Sequence, residues 1–239
     1  MELVLDKKPK RPTIIEGFPG VGFVGTIATE FMLNHLNAKS IGYLFNPKLP
    51  PIAIIHGKET RRLLEIFYAP KENIVFIHAI SGTKGLEWEV AKAIVELAKL
   101  VNAKQIISLE GVVSPDNAET SRIFVKSNDD KTEKELLKLG AERLESGAVT
   151  GVTGALMLTA ESVNSTFLFA ETHSRMPDSR AAAELIRILD VYLNLKVDPK
   201  PLIKQAEDFE NKIKDMIKLG IESQKPGEDD DSQKVNYLG

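Results

Sequence analysis

The stretch Thr13–Gly25 reads TIIEGFPGVGFVG and decides the fold class of this 239-residue chain. Its apolar first residues predict a short strand, and a helix is predicted from Val24 to Leu36. Between them, Gly20-x-Gly22-x-x-Gly25 has the spacing of a dinucleotide-binding loop, in which glycines let the backbone approach a pyrophosphate at a helix N-terminus. A strand that runs through such a loop into a helix indicates an α/β protein.

Apolar runs alternate with amphipathic segments along most of the remaining chain. The predicted strands are Lys39–Phe45, Ile52–His56, Arg62–Tyr68, Asn73–Ile80, Gln105–Leu109, Arg122–Val125 and Phe167–Glu171, with a hairpin-like connection at Gly57–Glu59. The predicted helices are Gly85–Val101, with Trp88 on its apolar stripe, Thr132–Leu144, and Ser179–Leu193, with Asp178 at its N-terminus. This alternation predicts a three-layer α/β sandwich around a mainly parallel sheet.

A last helix, at about Pro201 to Ile221, carries a heptad-like apolar seam, and its other faces are charged. It either packs on its own domain or projects toward sister subunits or another partner. In the second case the oligomer or partner surface includes Leu202, Phe209, Ile213 and Met216. The chain is accordingly divided into an α/β domain at residues 1–198, an amphipathic helix at residues 199–221 and a tail at residues 222–239.

The tail combines an acidic run with an apolar tip. Ser223–Gly227 breaks the preceding helix, Glu228–Asp231 is entirely acidic, and Val235–Gly239 carries three apolar residues in five positions. An acidic tether buries too little apolar surface to fold by itself, so we expect a flexible arm. The tip is either a plug for a pocket of another protein or an incidental feature of a frayed terminus. The contacts of a plug would be Val235, Tyr237, Leu238 and the terminal carboxylate of Gly239.

Composition excludes several classes of protein. The formal net charge is −3, and residues 222–239 carry five acids and two bases, so the rest of the chain is near neutral and lacks the basic excess of a nucleic-acid-binding protein. There are no cysteines, which excludes disulfides, thiol catalysis and cysteine metal sites. No apolar run approaches the roughly 20 residues of a membrane span, and no signal-peptide core is recognisable, so we expect a cytoplasmic protein without membrane contacts.

Cofactor and catalytic motifs are incomplete. The dinucleotide interpretation lacks the acidic residue expected about 20 positions after the loop, and glycines used only for tight strand–helix packing are the alternative. The four histidines have no metal-ligand spacing, and His56 and His78, in apolar strands, are interpreted as hydrogen-bonded core residues. No P-loop, nucleophile elbow or nucleophile–base pair is recognisable. We therefore expect no metal site, no cofactor and no catalytic set.

A crevice is nevertheless expected where the parallel strands end, because ligands of α/β sheets gather there. The loops that could line it are Ser81–Gly85, Glu110–Val113 and Thr150–Gly154, together with Gly20, Gly22 and the segment Glu171–Asp178. Glu110, just after a buried strand, is the best candidate for a functional carboxylate. The candidate crevice residues are Gly20, Gly22, Glu110 and Gly151.

Four glycine-rich or apolar motifs, in this order, resemble the PAC2 family of proteasome assembly chaperones and their archaeal homologues. The motifs are Glu16–Gly25, Ile107–Gly111, Gly151–Leu156 and Glu171–Ala183, and the resemblance covers roughly residues 12–193. The resemblance implies an α/β fold related to purine nucleoside phosphorylases, without retained catalysis. It also implies homo- or hetero-oligomers that bind proteasome α-subunits.

The resemblance also gives the tail an interpretation. Family members often end in a hydrophobic-tyrosine-X motif that inserts between neighbouring α-subunits, with tyrosine in the penultimate position, whereas Tyr237 is third from last here. The implied function is an ATP-independent chaperone that grips α-subunits through the tails of a homo-oligomer, a tetramer or pentamer. The alternative is a nucleoside- or nucleotide-binding, phosphorylase-like enzyme that uses the glycine-lined crevice.

Overall fold

The computed structural model describes residues 1–56, 59–113, 121–172 and 176–204, in which helices flank a large sheet. The strands are β1 (Glu2–Leu5), β2 (Thr13–Gly17), β3 (Lys39–Phe45), β4 (Ile54–His56), β5 (Glu59–Arg61), β6 (Leu64–Ala69), β7 (Ile74–Ala79), β8 (Gln105–Val113), β9 (Ile123–Ser127), β10 (Glu142–Arg143) and β11 (Ser165–Thr172). The helices are α1 (Val24–His35), α2 (Glu87–Leu100), α3 (Asp130–Lys138), α4 (Gly151–Thr159), α5 (Ser179–Leu193) and α6 (Lys200–Lys204), and a short 3-10 turn, Val21–Phe23, precedes α1. None of the helices in this described part is long and apolar enough to cross a membrane.

The nine-stranded sheet has the order β1-β3-β6-β7-β2-β8-β11-β9-β10. Its central strands β7, β2, β8 and β11 are mutually parallel. On one side β7, β6, β3 and β1 are joined antiparallel, and on the other β9 is antiparallel to β11, with the short β10 parallel to β9. The predicted α/β fold is therefore confirmed with a parallel centre, and its flanks make the whole sheet mixed.

Successive side chains of the central strands point to opposite faces of the sheet and form two hydrophobic layers. Ile15, Phe76 and Ile107 belong to the layer beneath α1, α3 and α5. Ile14 and Ile77 belong to the layer beneath α2 and α4. Because helices cover both faces, these strands are apolar along almost their whole length. The arrangement is the predicted three-layer sandwich.

Glycines set the distance between the start of α1 and the sheet. A Cβ atom on Gly17 would overlap the carbonyl oxygen of Gly25, and one on Gly25 would overlap that of Leu109. A Cβ atom on Gly111 would overlap the carbonyl oxygen of Val21 in the loop before the helix. The backbone of α1 and its preceding loop therefore lies directly on β2 and β8, at a separation that excludes side chains.

Several predicted bounds are confirmed. β3 and α5 begin and end where predicted, and α1 ends one residue before the predicted Leu36. Asp178 caps α5 as expected, because its carboxylate accepts hydrogen bonds from the backbone N–H groups of Arg180 and Ala181 at 3.1 and 3.0 Å.

The predicted helix Thr132–Leu144 is too long at its C-terminal end, since α3 stops at Lys138. Gly140 has a φ of +96°, and the N–H of Ala141 donates to the carbonyl of Leu136 at 3.2 Å. This is a Schellman ending, which glycine favours because the left-handed conformation costs it little. The chain then enters β10.

Thr150–Gly154 was expected as a loop and instead enters α4 at Gly151. Glycines are poor helix formers, but a Cβ atom on Gly154 would lie only 2.5 Å from the carbonyl oxygen of Val149. Close packing therefore requires glycine here, and burial of α4 against the sheet overrides its low helix propensity.

Strand predictions differ from the structure in three places. β8 continues to Val113 because β11 pairs with it to that point, so Glu110 lies inside the strand rather than after it. β4 pairs with Glu59–Arg61 instead of with Arg62–Tyr68, and β6 joins the large sheet. The edge strand β1 was not predicted; it pairs antiparallel with β3.

Two apolar side chains lie elsewhere than the patterns suggested. Trp88 is 52 % exposed, so it is not part of the buried stripe of α2. Leu202 is 2 % exposed and belongs to the hydrophobic layer of α5, so at this residue α6 packs on its own domain. The other predicted seam residues, Phe209, Ile213 and Met216, lie outside the described residues.

The glycine contact of α1 predicts a large effect of a single methyl group. We expect Gly25→Ala to lower the free energy of unfolding by about 2 kcal/mol, because the new methyl group overlaps a backbone carbonyl that cannot rotate away. Denaturant unfolding followed by circular dichroism measures this change. Gly147→Ala is the matched control, since a Cβ atom there meets nothing within 4 Å. Equal stability of the two variants would contradict the packing role of Gly25.

Candidate functional site

A cavity of about 530 Å³ lies at the carboxyl ends of β2, β7 and β8. Its walls come from the segments after β2 and β7, the last residues of β8, and the segment that leads into α4. The apolar wall residues include Phe18, Val112, Leu144, Val149, Val152 and Phe169. The charged wall residues are Lys84, Glu87 and Glu110. This volume is in the range of small-molecule sites.

The position of the cavity follows from the topology. β2 and β7 are parallel neighbours, but the helices that follow them, α1 and α2, cover opposite faces of the sheet. The two connections therefore diverge and leave a crevice at the strand ends, which is where open α/β sheets bind ligands. Of the predicted crevice residues, the structure brings Gly20, Glu110 and Gly151 into the cavity wall.

Glu110 places a carboxyl group at the cavity wall. Its Oε1 accepts a hydrogen bond from the N–H of Gly111 at 3.0 Å, and its Oε2 accepts one from the hydroxyl of Thr153 at 3.2 Å. Burial raises the pKa of Glu110 to about 7, although these hydrogen bonds favour the ionised form. A Cβ atom on Gly20 would overlap this carboxyl group, so glycine at that position makes room for it.

A second carboxyl group, that of Glu16, lies next to the first and was missed as a candidate. Glu16 is opposite Ser108 in the parallel register of β2 and β8, and its side chain is completely buried. Neither carboxyl oxygen has a hydrogen-bond partner among the described residues. Burial raises the pKa of Glu16 to about 8; the nearby Ser108 hydroxyl lowers it only in part, and Glu110 adds to the rise. Glu16 is therefore protonated at neutral pH.

The two carboxyl groups have no basic partner. Within the described ranges, no lysine, arginine or histidine forms a salt bridge with Glu16 or Glu110. Lys84, which is exposed, and Glu87, which is partly buried, also line the cavity. When Glu110 ionises, its charge therefore stands in a poorly solvated place without a compensating cation of the described chain.

The glycine fingerprint is used for packing. Gly22 has a φ of +62°, and a Cβ atom there would lie 2.9 Å from the hydroxyl oxygen of Thr172. Its carbonyl accepts a hydrogen bond from the N–H of Asp178 at 2.9 Å, and the Thr172 hydroxyl donates to the Asp178 carboxylate at 2.8 Å. Gly22 thus faces the segment before α5 and not the cavity. This arrangement favours the packing interpretation over a dinucleotide site.

A separate polar network ties α1 to β7. The Nδ1 atom of His78 lies 2.9 Å from the Thr29 hydroxyl, and its Nε2 atom lies 3.0 Å from a carboxylate oxygen of Glu30. Burial alone would raise the pKa of Glu30, but His78, Asn34 and Arg61 lower it to about 2. His78 is 2 % exposed, so the prediction of a hydrogen-bonded core histidine is confirmed.

The remaining predicted site residues lie outside the described residues: Val235, Tyr237, Leu238 and Gly239. Over the described part of the chain, no three or more potential metal ligands come together.

The fold and the crevice together define a three-layer α/β protein with a small-molecule-sized cavity at its topological switch point. Comparison with known proteins is more specific. The sequence profile of the PAC2 family matches residues 14–217, and the chain belongs to this family. The resemblance noted from the motifs is thereby confirmed.

Relatives cover nearly the whole chain. An uncharacterised protein of Methanocaldococcus jannaschii is 30 % identical over 209 residues, which are 87 % of this chain and 86 % of the relative. The crystal structure of Pyrococcus furiosus PbaA, an archaeal homolog of proteasome-assembly chaperone, has a TM-score of 0.84 at 33 % identity and covers 94 % of this chain and 99 % of PbaA. Pyrococcus furiosus PbaB, an archaeal proteasome activator, has a TM-score of 0.75 at 21 % identity over 90 % of this chain and 97 % of PbaB, and its similarity shows the fold alone.

The buried acid Glu16 predicts a specific dependence of stability on pH. The unfolded chain releases this proton near its ordinary pKa of 4.5, whereas the folded chain holds it until about pH 8. The folded state binds more protons in this window, so the contribution of Glu16 to stability falls as pH rises from about 4.5 to 8. We expect Glu16→Gln, which stays neutral, to raise the free energy of unfolding at pH 9 by at least about 1 kcal/mol more than at pH 4.

Urea unfolding of wild type and variant across this pH range measures the difference. Glu96→Gln, on the exposed face of α2, is the matched control for the same change of side chain. A Glu16→Gln effect that stays constant with pH, like a simple packing change, would show that Glu16 does not hold a proton in the folded state.

Proposed function

We propose that this chain is an ATP-independent, cytoplasmic chaperone-like protein that binds proteasome α-subunits. In this proposal it acts by binding rather than by catalysis. A homo-oligomer, a tetramer or pentamer, presents several C-terminal tails at once, and each tail contributes Val235, Tyr237, Leu238 and the carboxylate of Gly239.

The similarity to PbaA carries the proposal. It extends over almost all of both chains at an identity that supports shared function as well as shared fold. Membership of the PAC2 family points to the same class of partner. The alternative of a phosphorylase-like enzyme has less support, since the Gly22 loop is filled by Thr172 and Asp178 instead of being open to a phosphate.

The chemistry of the tail suits a weak, repeated contact. An acidic tether followed by one aromatic and two aliphatic side chains offers a small apolar plug on a solvated arm. One such plug binds weakly, but several plugs on one oligomer gain about 100- to 10,000-fold in avidity where their spacing matches the target.

Removal of the apolar tip tests the tail. We expect deletion of residues 235–239 to abolish co-elution with recombinant archaeal proteasome α-subunits in size-exclusion chromatography, because the plug is lost while the tether remains. Tyr237→Ala should weaken binding strongly, whereas its neighbour Asn236→Ala should not. If the deletion variant co-elutes as the full chain does, the tails are not the binding element.

The oligomer has a separate test. We expect native mass spectrometry to give a mass of four or five chains, and Ile213→Asp to shift the mass toward smaller species by placing a charge in the apolar seam. Asn211→Asp, off the seam on the same predicted helix, should leave the mass unchanged. A single-chain mass for the wild type would remove the multivalent form of the proposal, and an intact oligomer of Ile213→Asp would place its contacts elsewhere.

A further inference from the structure

The chaperone function proposed above does not use the cavity at the switch point. We propose that this cavity binds a small organic cation, an ammonium or amidinium group on an apolar body, with the cationic group against the carboxylate of Glu110 and the body between Phe18 and Phe169.

The geometry supplies a single deep polar contact. Glu110 is in the cavity wall, and its carboxyl group accepts hydrogen bonds from the N–H of Gly111, the hydroxyl of Thr153 and the backbone N–H of Val21. A carboxylate oxygen accepts more than one hydrogen bond, so the group keeps capacity for a donor that enters the cavity. Phe18 and Phe169 are 4 % and 2 % exposed and offer the apolar wall next to this acceptor.

The charge of the ligand follows from what surrounds Glu110. Three donors already favour its ionised form, yet burial raises its pKa to about 7, so the protein compensates the charge incompletely. Glu16, the carboxyl beside it on β2, is protonated at neutral pH and provides no cation. An ionised carboxylate in such a place is costly until a positive group pairs with it. A ligand cation is that missing partner.

The opposite assignment, an anionic ligand, has two features in its favour, which are the start of α4 and the side chain of Lys84. The positive end of the α4 dipole already faces a carboxylate, because Thr153 in its first turn donates to Glu110. Lys84 is exposed, so water screens its charge, whereas Glu110 is desolvated. The deep carboxylate therefore outweighs the shallow lysine in selecting the sign of the ligand.

This pairing makes binding depend on pH with a defined sign. The charged or titratable groups that face Glu110 are Glu16 from β2, Lys84 from the segment between β7 and α2, and Glu87 at the start of α2. Below about pH 7 Glu110 takes up a proton, so a cation must displace it. We expect the affinity for a cation to fall about tenfold per pH unit below that point and to level off above it.

Three probes of similar shape and different charge test the inference on the full-length protein: 2-phenylethylamine, 2-phenylethanol and phenylacetate. Binding is measured by saturation-transfer NMR and by calorimetry at pH 8 and pH 6. We expect the amine to bind at pH 8, at least about tenfold more tightly than the alcohol or the anion, as one ion pair in a buried site requires. Absence of amine binding, or equal binding of the three probes, would overturn the proposal.

Two variants separate Glu110 from general charge effects. Glu110→Gln keeps the size of the side chain and removes its charge, and we expect it to abolish the preference for the amine and the pH dependence. Glu87→Gln removes the other carboxylate of the cavity wall and should change affinity less than about threefold, because that carboxylate already accepts a hydrogen bond from the N–H of Gly85 in an exposed contact. If Glu110→Gln folds poorly, the pH profile of amine binding by the wild type is the test instead. A flat profile would refute the assignment of Glu110 as the partner of the cation. Retention of the amine preference by a folded Glu110→Gln variant would refute it as well. None of these outcomes depends on the tails or on the α-subunits.

Discussion

The backbone contact between α1 and the central strands is the constraint from which the cavity follows. Gly17, Gly25 and Gly111 let the helix and its preceding loop lie on β2 and β8 without an intervening side chain. The loop is thereby held over the end of β8, with Gly20 against the carboxyl group of Glu110. That carboxyl group is confined between this loop on one side and Thr153 of α4 on the other. A looser helix–sheet contact would admit water there, and Glu110 would be an ordinary solvated acid.

Burial has opposite consequences for the acids of this protein, and the difference lies in their partners. Glu30 is buried beside His78, Asn34 and Arg61, and its pKa is lowered to about 2. Glu16 is buried without such partners, and its pKa is raised to about 8. The first group stabilises the ionised, folded chain at neutral pH, and the second gives up part of the stability that an apolar residue would contribute. Perturbed acids that cost stability are concentrated at functional sites, which favours the Glu16–Glu110 pair over the Glu30–His78 pair as the functional site.

Two helices have ends that are marked by a signal in the sequence. Asp178 caps the start of α5, and both bounds of this helix were predicted correctly. Gly140 marks the Schellman end of α3, but this signal was not used, so the helix was predicted too long. Tertiary packing decided two features that local signals did not predict, which are the helix α4 and the exposure of Trp88. α4 forms despite Gly151 and Gly154 because it is buried, and Trp88 is exposed although it matches the helical period of α2.

The candidate site was predictable in place but not in chemistry. The Gly-x-Gly-x-x-Gly pattern correctly located a tight turn between β2 and α1, and the same spacing serves a pyrophosphate or a neighbouring backbone equally well. Only the positions of Thr172 and Asp178, distant in sequence, show which use applies to Gly22. Glu16 also carried a signal in the sequence, since it is an acid inside an apolar strand. The signal was overlooked because the isolation of its carboxyl group from any cation depends on residues of other strands.

The same contacts also fix the position of α6 relative to the sheet. Gly22 is bonded to Asp178, Asp178 caps α5, and Leu202 of α6 is buried in the layer that α5 covers. Leu202, and with it α6, is therefore held at a defined place relative to the sheet. Multivalent binding gains most when the origins of its arms have a fixed spacing, because a floating origin spreads the effective concentration of each arm over a larger volume. In the proposed chaperone, the packing of α5 and α6 would hold the start of the segment that leads to the tails, and the symmetry of the oligomer would set the distance between the arms.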